Sequence, residues 1–320
     1  MNRKLIVSLL LHEAQRAAIL NAATQNGFEA LFFSDNAEAL PHLADAEIIF
    51  GAGPELIKNA PKLRWFCTPQ AGVNQYLGKD AFAAPEALLS NSSGAYGVTI
   101  AEHIVMVTLE MMRRQADYSE IVARREWVRN LRIRSIRNAR VTLLGTGDIG
   151  QEAAIRLRAF SPACLIGVNR SGKNPGGLFD RVIKQTQLDA VLPDTDLMIL
   201  SLPGTKETDG LMSEARLKMM PKDSFLVNVG RGNAIDQKAL ERLLCAGHFA
   251  GVALDVFERE PLPKDDSLWR SPRLLLTPHI AGNMTLEYTV ERIVELFLED
   301  FENYCAGRPL KRLVDRTIGY

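Results

Sequence analysis

The run VTLLGTGDIGQEAAIRLRAF, residues 141–160, constrains this chain more than any other stretch. A short apolar segment, residues 141–144, leads into GTGDIG, and a helical pattern follows at once. A glycine triplet alone is a weak signal; between a strand and a helix it has a mechanism. Gly145 allows the tight turn, Gly147 lets a pyrophosphate approach the backbone, and Gly150 lets the helix lie close on the strand. The N–H groups at the helix start and the helix dipole then favour phosphate. Gly145, Thr146, Gly147, Asp148, Ile149 and Gly150 are therefore the expected phosphate cradle. The plainer alternative is an ordinary turn of an α/β domain.

The end of the next strand decides which dinucleotide fits. In this fold an acid about 20 residues beyond the glycines takes the ribose 2′-hydroxyl. Here the strand reads CLIGVNRSGK, ends in Asn169, Arg170, Ser171 and Lys173, and meets no acid before Asp180. A carboxylate repels a 2′-phosphate, whereas Arg170, Ser171 and Lys173 can bind one by charge-assisted hydrogen bonds. NADP(H) is therefore expected ahead of NAD(H), the alternative being a merely solvated basic loop.

At 320 residues with 47% apolar composition, the chain suits two domains with a packed core each. Thirty-eight basic side chains balance thirty-eight acidic ones, so no strong field draws nucleic acid or a membrane surface. Cys67, Cys164, Cys245 and Cys305 stand far apart, without a CxxC or a histidine at metal spacing. That argues for a reducing compartment and against a metal site. The start MNRKLIVSLLLHEAQ has a short apolar run closed by His12 and Glu13, and reads as a first strand rather than a signal peptide. No apolar run is long enough to span a bilayer, and a cytoplasmic location is expected.

Strand patterns at residues 4–10, 29–33, 47–50 and 64–67 alternate with helical ones, such as 12–24, which predicts a parallel sheet with helices on both faces. SNSSGAYG, residues 90–97, reads as a hinge, and a single long amphipathic helix is expected over residues 98–119. A second alternation follows, with strands near 196–201, 224–229, 250–254 and 273–276, and a last helix over 285–305 stops before Gly307 and Pro309. The expected layout is two doubly wound domains. A dinucleotide-binding Rossmann domain, 98–284, is inserted in a flavodoxin-like substrate domain, 1–97 plus 285–320. Two crossings of this kind favour a cleft with hinge closure.

Ligands of open parallel sheets bind beyond the carboxyl ends of the strands. Arg231 in GRG, Asp255 and Glu260 in DVFEREPLP, and His279 in TPHIAG all follow such ends. The set is chemically coherent for reducing a 2-oxo acid. Arg231 can grip the carboxylate and polarise the carbonyl with its planar fork. His279 can supply the proton, and Glu260 beside it would favour the charged imidazole and fix its tautomer. Each has a plainer reading: a surface ion pair, a solvated acid, a packed histidine beside Pro278.

These motifs resemble the D-isomer-specific 2-hydroxyacid dehydrogenases over nearly the whole chain. The resemblance rests on GTGDIG, SLPGTKET (201–208), NVGRGNAID (228–236), ALDVFEREPLP (253–263) and LLLTPHIAG (274–282). It implies Arg231, Glu260 and His279 as catalytic residues and Asp255 as the acid near the nicotinamide amide. It puts Leu202, Pro203 and Thr205, and the Val229–Gly230 backbone before the arginine, along the cofactor. It makes QAGVN (70–74) the loop whose backbone N–H groups hold the substrate carboxylate, with Ala71, Gly72 and Val73 as contacts. It further implies a homodimer joined through the long helix after the hinge. The replaced acid at Asn169-Arg170-Ser171 looks like the NADP-using glyoxylate and hydroxypyruvate reductases of the family. On this resemblance the chain is expected to lack both the C-terminal regulatory extension of long phosphoglycerate dehydrogenases and the extra N-terminal segment of formate dehydrogenases.

The expected activity is hydride transfer between NADP(H) and a small 2-oxo or D-2-hydroxy acid. The rivals are an NAD-dependent phosphoglycerate- or phosphonate-type dehydrogenase of the same fold and, in another class, a nicotinamide-sensing corepressor-like binding protein. Glu102-His103 imitates an acid–base pair, but adjacent helical residues face different ways, and His103 reads as a packed or interface residue. Trp127 is either a buried anchor or a residue reaching an active site, and Tyr96 either lines the cleft or packs in the hinge.

Overall fold

The structure, a computed structural model, describes residues 3–319. The chain divides into two compact units, residues 1–96 with 284–320 and residues 97–283. Gly97 and Met284 thus fall on the other side of the boundary from the sequence expectation. Gly97 opens a helix that lies against Asp148, where an added Cβ would come within 2.6 Å of the Asp148 Oδ2. Met284 leads into the last helix, which packs in the first unit.

The first unit runs β1 (Arg3–Ser8), α1 (Glu13–Gln25), β2 (Phe28–Phe33), α2 (Asn36–Ala39), β3 (Ile48–Gly51), α3 (Pro54–Lys58), β4 (Trp65–Cys67) and β5 (Leu88–Ser90). The strands form a parallel sheet in the order β2-β1-β3-β4-β5, the flavodoxin-like winding. The central strands are apolar on both faces, as a sheet covered on both sides requires: β3 is buried throughout. One side of the core gathers Ile6, Ile49, Phe66 and Tyr76. The final helix of the chain stacks Phe297 on Phe50 with ring centroids 4.1 Å apart, and Phe301 against Phe28 at 5.2 Å.

The second unit runs α4 (Gly97–Met112), α5 (Gln115–Ala123), β6 (Arg140–Leu144), α6 (Asp148–Arg158), β7 (Cys164–Asn169), β8 (Arg181–Lys184), β9 (Leu197–Leu200), α7 (Glu214–Met219), β10 (Ser224–Asn228), α8 (Gln237–Cys245), β11 (Phe249–Leu254) and β12 (Leu274–Leu276). The chain then returns through α9 (Glu287–Cys305) to the first unit. The second sheet is parallel in the order β12-β11-β10-β9-β6-β7-β8. Its order reverses between β6 and β9, the switch point at which such sheets bind nucleotides. Leu144, Val168, Leu200, Leu226 and Leu254 from five adjacent strands share one core.

Two expectations need correction. The single helix over 98–119 is two helices, because Arg114 adopts φ 58° between α4 and α5. Arg114 grips Asp117 through Nε–Oδ2 at 2.6 Å and Nη2–Oδ1 at 2.7 Å, which pins the new helix start. Strands β5 and β8 were not expected; β5 has three residues and β8 is a half-exposed edge strand, so neither shows a sustained apolar pattern.

Candidate active site

The turn after β6 is shaped as the glycine spacing requires. Gly145 sits at φ 110°, and a Cβ there would meet Ser201 Oγ at 2.8 Å. A Cβ on Gly150 would come within 2.2 Å of the Gly145 carbonyl oxygen, so only glycine lets α6 start this close to the turn. Gly147, the cap residue of α6, is exposed, and an added Cβ would meet nothing within 4 Å. The open backbone of this turn and the positive end of α6 are the features that receive a pyrophosphate. The cradle thus fits a dinucleotide.

Asn169 closes the end of β7 over this turn. Its Nδ2 donates to Thr146 Oγ1 at 2.6 Å and to the Lys173 carbonyl at 2.9 Å, and its Oδ1 accepts from Gly172 N at 2.6 Å. Both ends of the amide are engaged in shaping the turn. The exposed Arg170, Ser171 and Lys173 are the groups this turn presents. The Ser171 hydroxyl accepts from Lys173 N at 3.2 Å, which orders the tip. Across from it, Glu207 is held below the usual carboxylate range, first by its own backbone N–H and the Thr205 hydroxyl, with the Arg170 and Lys206 charges adding to them. Thr205 N donates in turn to the Thr208 hydroxyl at 2.9 Å, and Leu202 is buried while Pro203 is exposed.

The three chemistry-bearing loops of the second unit converge. Asn228, buried at the end of β10, accepts from Gly230 N at 3.0 Å and donates to the Arg231 carbonyl at 3.0 Å. It therefore braces the Val229–Gly230–Arg231 turn from both sides. The next residue, Gly232, lies so close to the following loop that a Cβ would fall 1.9 Å from the Phe257 carbonyl carbon. That loop holds Glu260, whose Oε1 accepts from Phe257 N at 2.9 Å. Glu260 Oε2 meets His279 Nδ1 at 2.6 Å. Burial lowers the pKa of the Arg231 guanidinium, and the Glu260 charge acts the other way; an arginine keeps its charge regardless. One guanidinium, one carboxylate and one imidazole are thus assembled at the carboxyl ends of β10, β11 and β12.

Asp255 anchors the histidine loop. Its Oδ1 accepts from Thr277 Oγ1 at 2.7 Å and Ile280 N at 2.9 Å, and its Oδ2 accepts from Ala281 N at 3.0 Å. His279 is held at φ 54°, with its N–H shared between the Asp255 and Thr277 carbonyls at 2.9 and 3.0 Å. Its side chain is half exposed, so Nε2 is free to face a reactant while Nδ1 is held by Glu260. His103, on α4, belongs to the same network: its Nε2 lies 3.4 Å from Thr277 Oγ1. Burial keeps this imidazole below its ordinary pKa, the nearby Asp255 and Glu110 charges opposing the shift.

Asn228, Thr277 and His103 were not singled out for the site by sequence reasoning. Asn228 had a signal, since a strand-end asparagine before glycine is suited to bracing a turn. Thr277 and His103 had none, because their roles depend on contacts between distant segments.

In the first unit, the QAGVN segment follows β4. The N–H groups of Ala71, Gly72 and Val73 donate to no acceptor among the described residues, and the Ala71 carbonyl accepts from Asn91 Nδ2 at 2.8 Å. Trp127 is 89% exposed, and Tyr96 is buried with its hydroxyl on the Pro69 carbonyl at 2.8 Å.

Comparison with known proteins agrees with this architecture. Residues 105–281 match the D-isomer specific 2-hydroxyacid dehydrogenase, NAD binding domain, family. A glyoxylate/hydroxypyruvate reductase B of Pectobacterium carotovorum is 30% identical over 256 residues, covering 77% of this chain and 79% of the relative. A solved D-isomer specific 2-hydroxyacid dehydrogenase family protein of Aeromonas salmonicida superposes with TM-score 0.86 at 31% identity, covering 99% of this chain and 100% of that one. An NADPH-dependent glyoxylate/hydroxypyruvate reductase of Sinorhizobium meliloti, solved in complex with NADP and sulfate, superposes with TM-score 0.82 at 27% identity, covering 99% and 100%. The chain belongs to the D-isomer specific 2-hydroxyacid dehydrogenase family and is an NAD(P)-dependent oxidoreductase of it. Among the described residues, no helix is long and apolar enough to cross a membrane.

Proposed function

We propose that this chain reduces a small 2-oxo acid of the glyoxylate or hydroxypyruvate type to the corresponding 2-hydroxy acid, in the D configuration where C2 becomes a stereocentre, with NADPH as the preferred reductant. The observation that carries the reading is the Glu260 Oε2–His279 Nδ1 contact of 2.6 Å beside the Arg231 turn. A nicotinamide dinucleotide held by the 145–150 turn and the loops after β9 and β10 would supply the hydride that the carbonyl carbon accepts. Arg231 holds the carboxylate and draws electron density toward the carbonyl oxygen. His279 passes its Nε2 proton to that oxygen, and Glu260 stabilises the imidazolium that gives it up. The balance is one hydride and one proton added across C=O, with the oxidised dinucleotide as co-product. The backbone N–H groups of Ala71, Gly72 and Val73 bind the substrate carboxylate. The same site run backward oxidises the D-2-hydroxy acid.

Gly145, Thr146, Gly147, Asp148, Ile149 and Gly150 hold the pyrophosphate; Leu202, Pro203, Thr205, Val229, Gly230 and Asp255 lie along the rest of the cofactor. Arg170, Ser171 and Lys173 take the 2′-phosphate, with Asn169 setting their turn. The absence of an acid between Val168 and Asp180 supports NADPH over NADH. We also read the chain as a homodimer in the cytoplasm. The exposed apolar side chains Val122, Trp127, Val128 and Ile133 support the dimer, and light scattering at the mass of two chains tests it.

Initial rates of NADPH and NADH oxidation across glyoxylate, hydroxypyruvate, pyruvate and bulkier oxo acids test the reading. Small oxo acids and NADPH are expected to give the highest kcat/KM. Turnover confined to phosphorylated or phosphonate substrates with NADH would replace it by the rival dehydrogenases, and dinucleotide binding with no turnover would support a sensor. Arg170→Asp is expected to move the preference toward NADH by roughly tenfold or more, since it exchanges attraction for repulsion at the 2′-phosphate. An unchanged NADPH/NADH ratio would show that Arg170 does not touch it.

A further inference from the structure

The loop after β4 is fastened by its carbonyls. Ser92 Oγ donates to the Thr68 carbonyl at 3.1 Å and Tyr96 Oη to the Pro69 carbonyl at 2.8 Å. Ser92 N donates to the Gln70 carbonyl at 3.1 Å, and Asn91 Nδ2 to the Ala71 carbonyl at 2.8 Å. Four successive carbonyls are thus taken by one short segment, residues 91–96. In a trans peptide the C=O and the N–H of one unit point in opposite directions. Fixing the Gln70 and Ala71 carbonyls toward this segment therefore turns the Ala71 and Gly72 N–H groups away from it. Those N–H groups, with that of Val73, donate to nothing among the described residues. The carbonyl side of the loop is satisfied and its N–H side is open.

Asn91 is the side chain that sets the last of these peptides. It is buried, 6% exposed, and its amide is locked in orientation because its Oδ1 accepts from Ser93 N at 3.2 Å. Its own N–H is tied to the Arg312 carbonyl at 3.4 Å. The donor facing Ala71 therefore stands on a fixed base. We propose that Asn91 is a positioning residue for substrate: by holding the Ala71 carbonyl it aims the Gly72 N–H at the substrate carboxylate. The proposal rests on the reading above that residues 71–73 bind that carboxylate. It predicts that the specificity for an acid, as distinct from the rate of hydride transfer, is set in part from behind the loop by a residue that never meets substrate.

Tyr96 supplies an internal control. It fastens the Pro69 carbonyl in the same manner, yet the N–H of that peptide, on Gln70, returns to Thr68 Oγ1 at 3.3 Å and is not open. Loss of the Tyr96 hydroxyl loosens the loop without turning an open N–H.

The test compares the wild type, Asn91→Ala, Asn91→Asp and Tyr96→Phe on pyruvate and on its neutral amide, pyruvamide, with saturating NADPH. Asn91→Asp keeps the size and the Ser93 contact but sets an acceptor against the Ala71 carbonyl, so it serves if the alanine variant does not fold. A hydrogen bond to a charged group is at stake, so KM for pyruvate is expected to rise about tenfold to a hundredfold in the Asn91 variants. Their kcat stays within roughly threefold, the pattern of lost uniform binding. Pyruvamide turnover and NADPH affinity stay at wild-type values, and Tyr96→Phe moves pyruvate KM by less than about threefold. Equal losses on pyruvate and pyruvamide, or equal losses in the Asn91 and Tyr96 variants, would overturn the proposal and make Asn91 a structural residue. A wild type that does not prefer pyruvate to pyruvamide would instead remove the carboxylate-loop reading, and the proposal with it.

Discussion

His279 occupies a left-handed backbone conformation that costs a non-glycine residue on the order of 1–3 kcal/mol. The Asp255 carboxylate and two carbonyls bind the loop around it and hold it there. Asp255→Asn replaces one acceptor oxygen by an NH2 group that faces a donor. Stability in denaturant is expected to fall by about 1–3 kcal/mol, the cost of a buried unsatisfied pair. An unchanged unfolding midpoint would show that the loop holds without the carboxylate. The placement of Arg231, Glu260 and His279 was legible in the sequence because each lies in a loop that leaves the carboxyl end of a strand, and their joint type suits acid–base chemistry. Asn91, Thr277 and His103 were not, because a side chain that braces another loop leaves no spacing rule behind it.

Among the elements, the two sheets were readable wherever strands are long and apolar, as in β6, β7 and β10. The break between α4 and α5 was not, since Arg113 and Arg114 are good helix formers and the kink is made by backbone φ and an ion pair. The end of α9 offers a test by pH. Glu299 bonds Lys311 and Arg312 of the tail that follows the helix, and these partners pull its carboxyl down to about 2. A carboxyl lowered in the folded state contributes stability that is complete above its unfolded value and lost on protonation. Its share is therefore present above pH 4.5 and fades as pH falls toward about 2. Glu299→Gln is expected to flatten the acid limb of a melting-temperature profile in that window and to leave a smaller difference in high salt. Parallel wild-type and variant profiles there would exclude the contribution.

For the whole molecule, each unit has its own parallel sheet and its own core. The family's NAD binding domain, residues 105–281, lies within the second. Calorimetry is expected to resolve two unfolding transitions, of which NADPH moves one. At a hundred times its dissociation constant the cofactor adds about 2.7 kcal/mol to the unit that binds it. A single transition that shifts as one would mean the two cores melt together. That both sheets are parallel followed from the alternation of strands and helices, whereas their full strand order, which includes β5 and β8, and the exact boundary at Gly97 did not, the boundary because it depends on the contact with Asp148.

The central claim is that His279, held by Glu260, gives the proton as hydride reaches the carbonyl carbon. His279→Ala should lower kcat for 2-oxo acid reduction by about 10²–10⁴-fold while NADPH binding, followed by nicotinamide fluorescence, keeps its wild-type affinity. Turnover at the wild-type rate in that variant would contradict it.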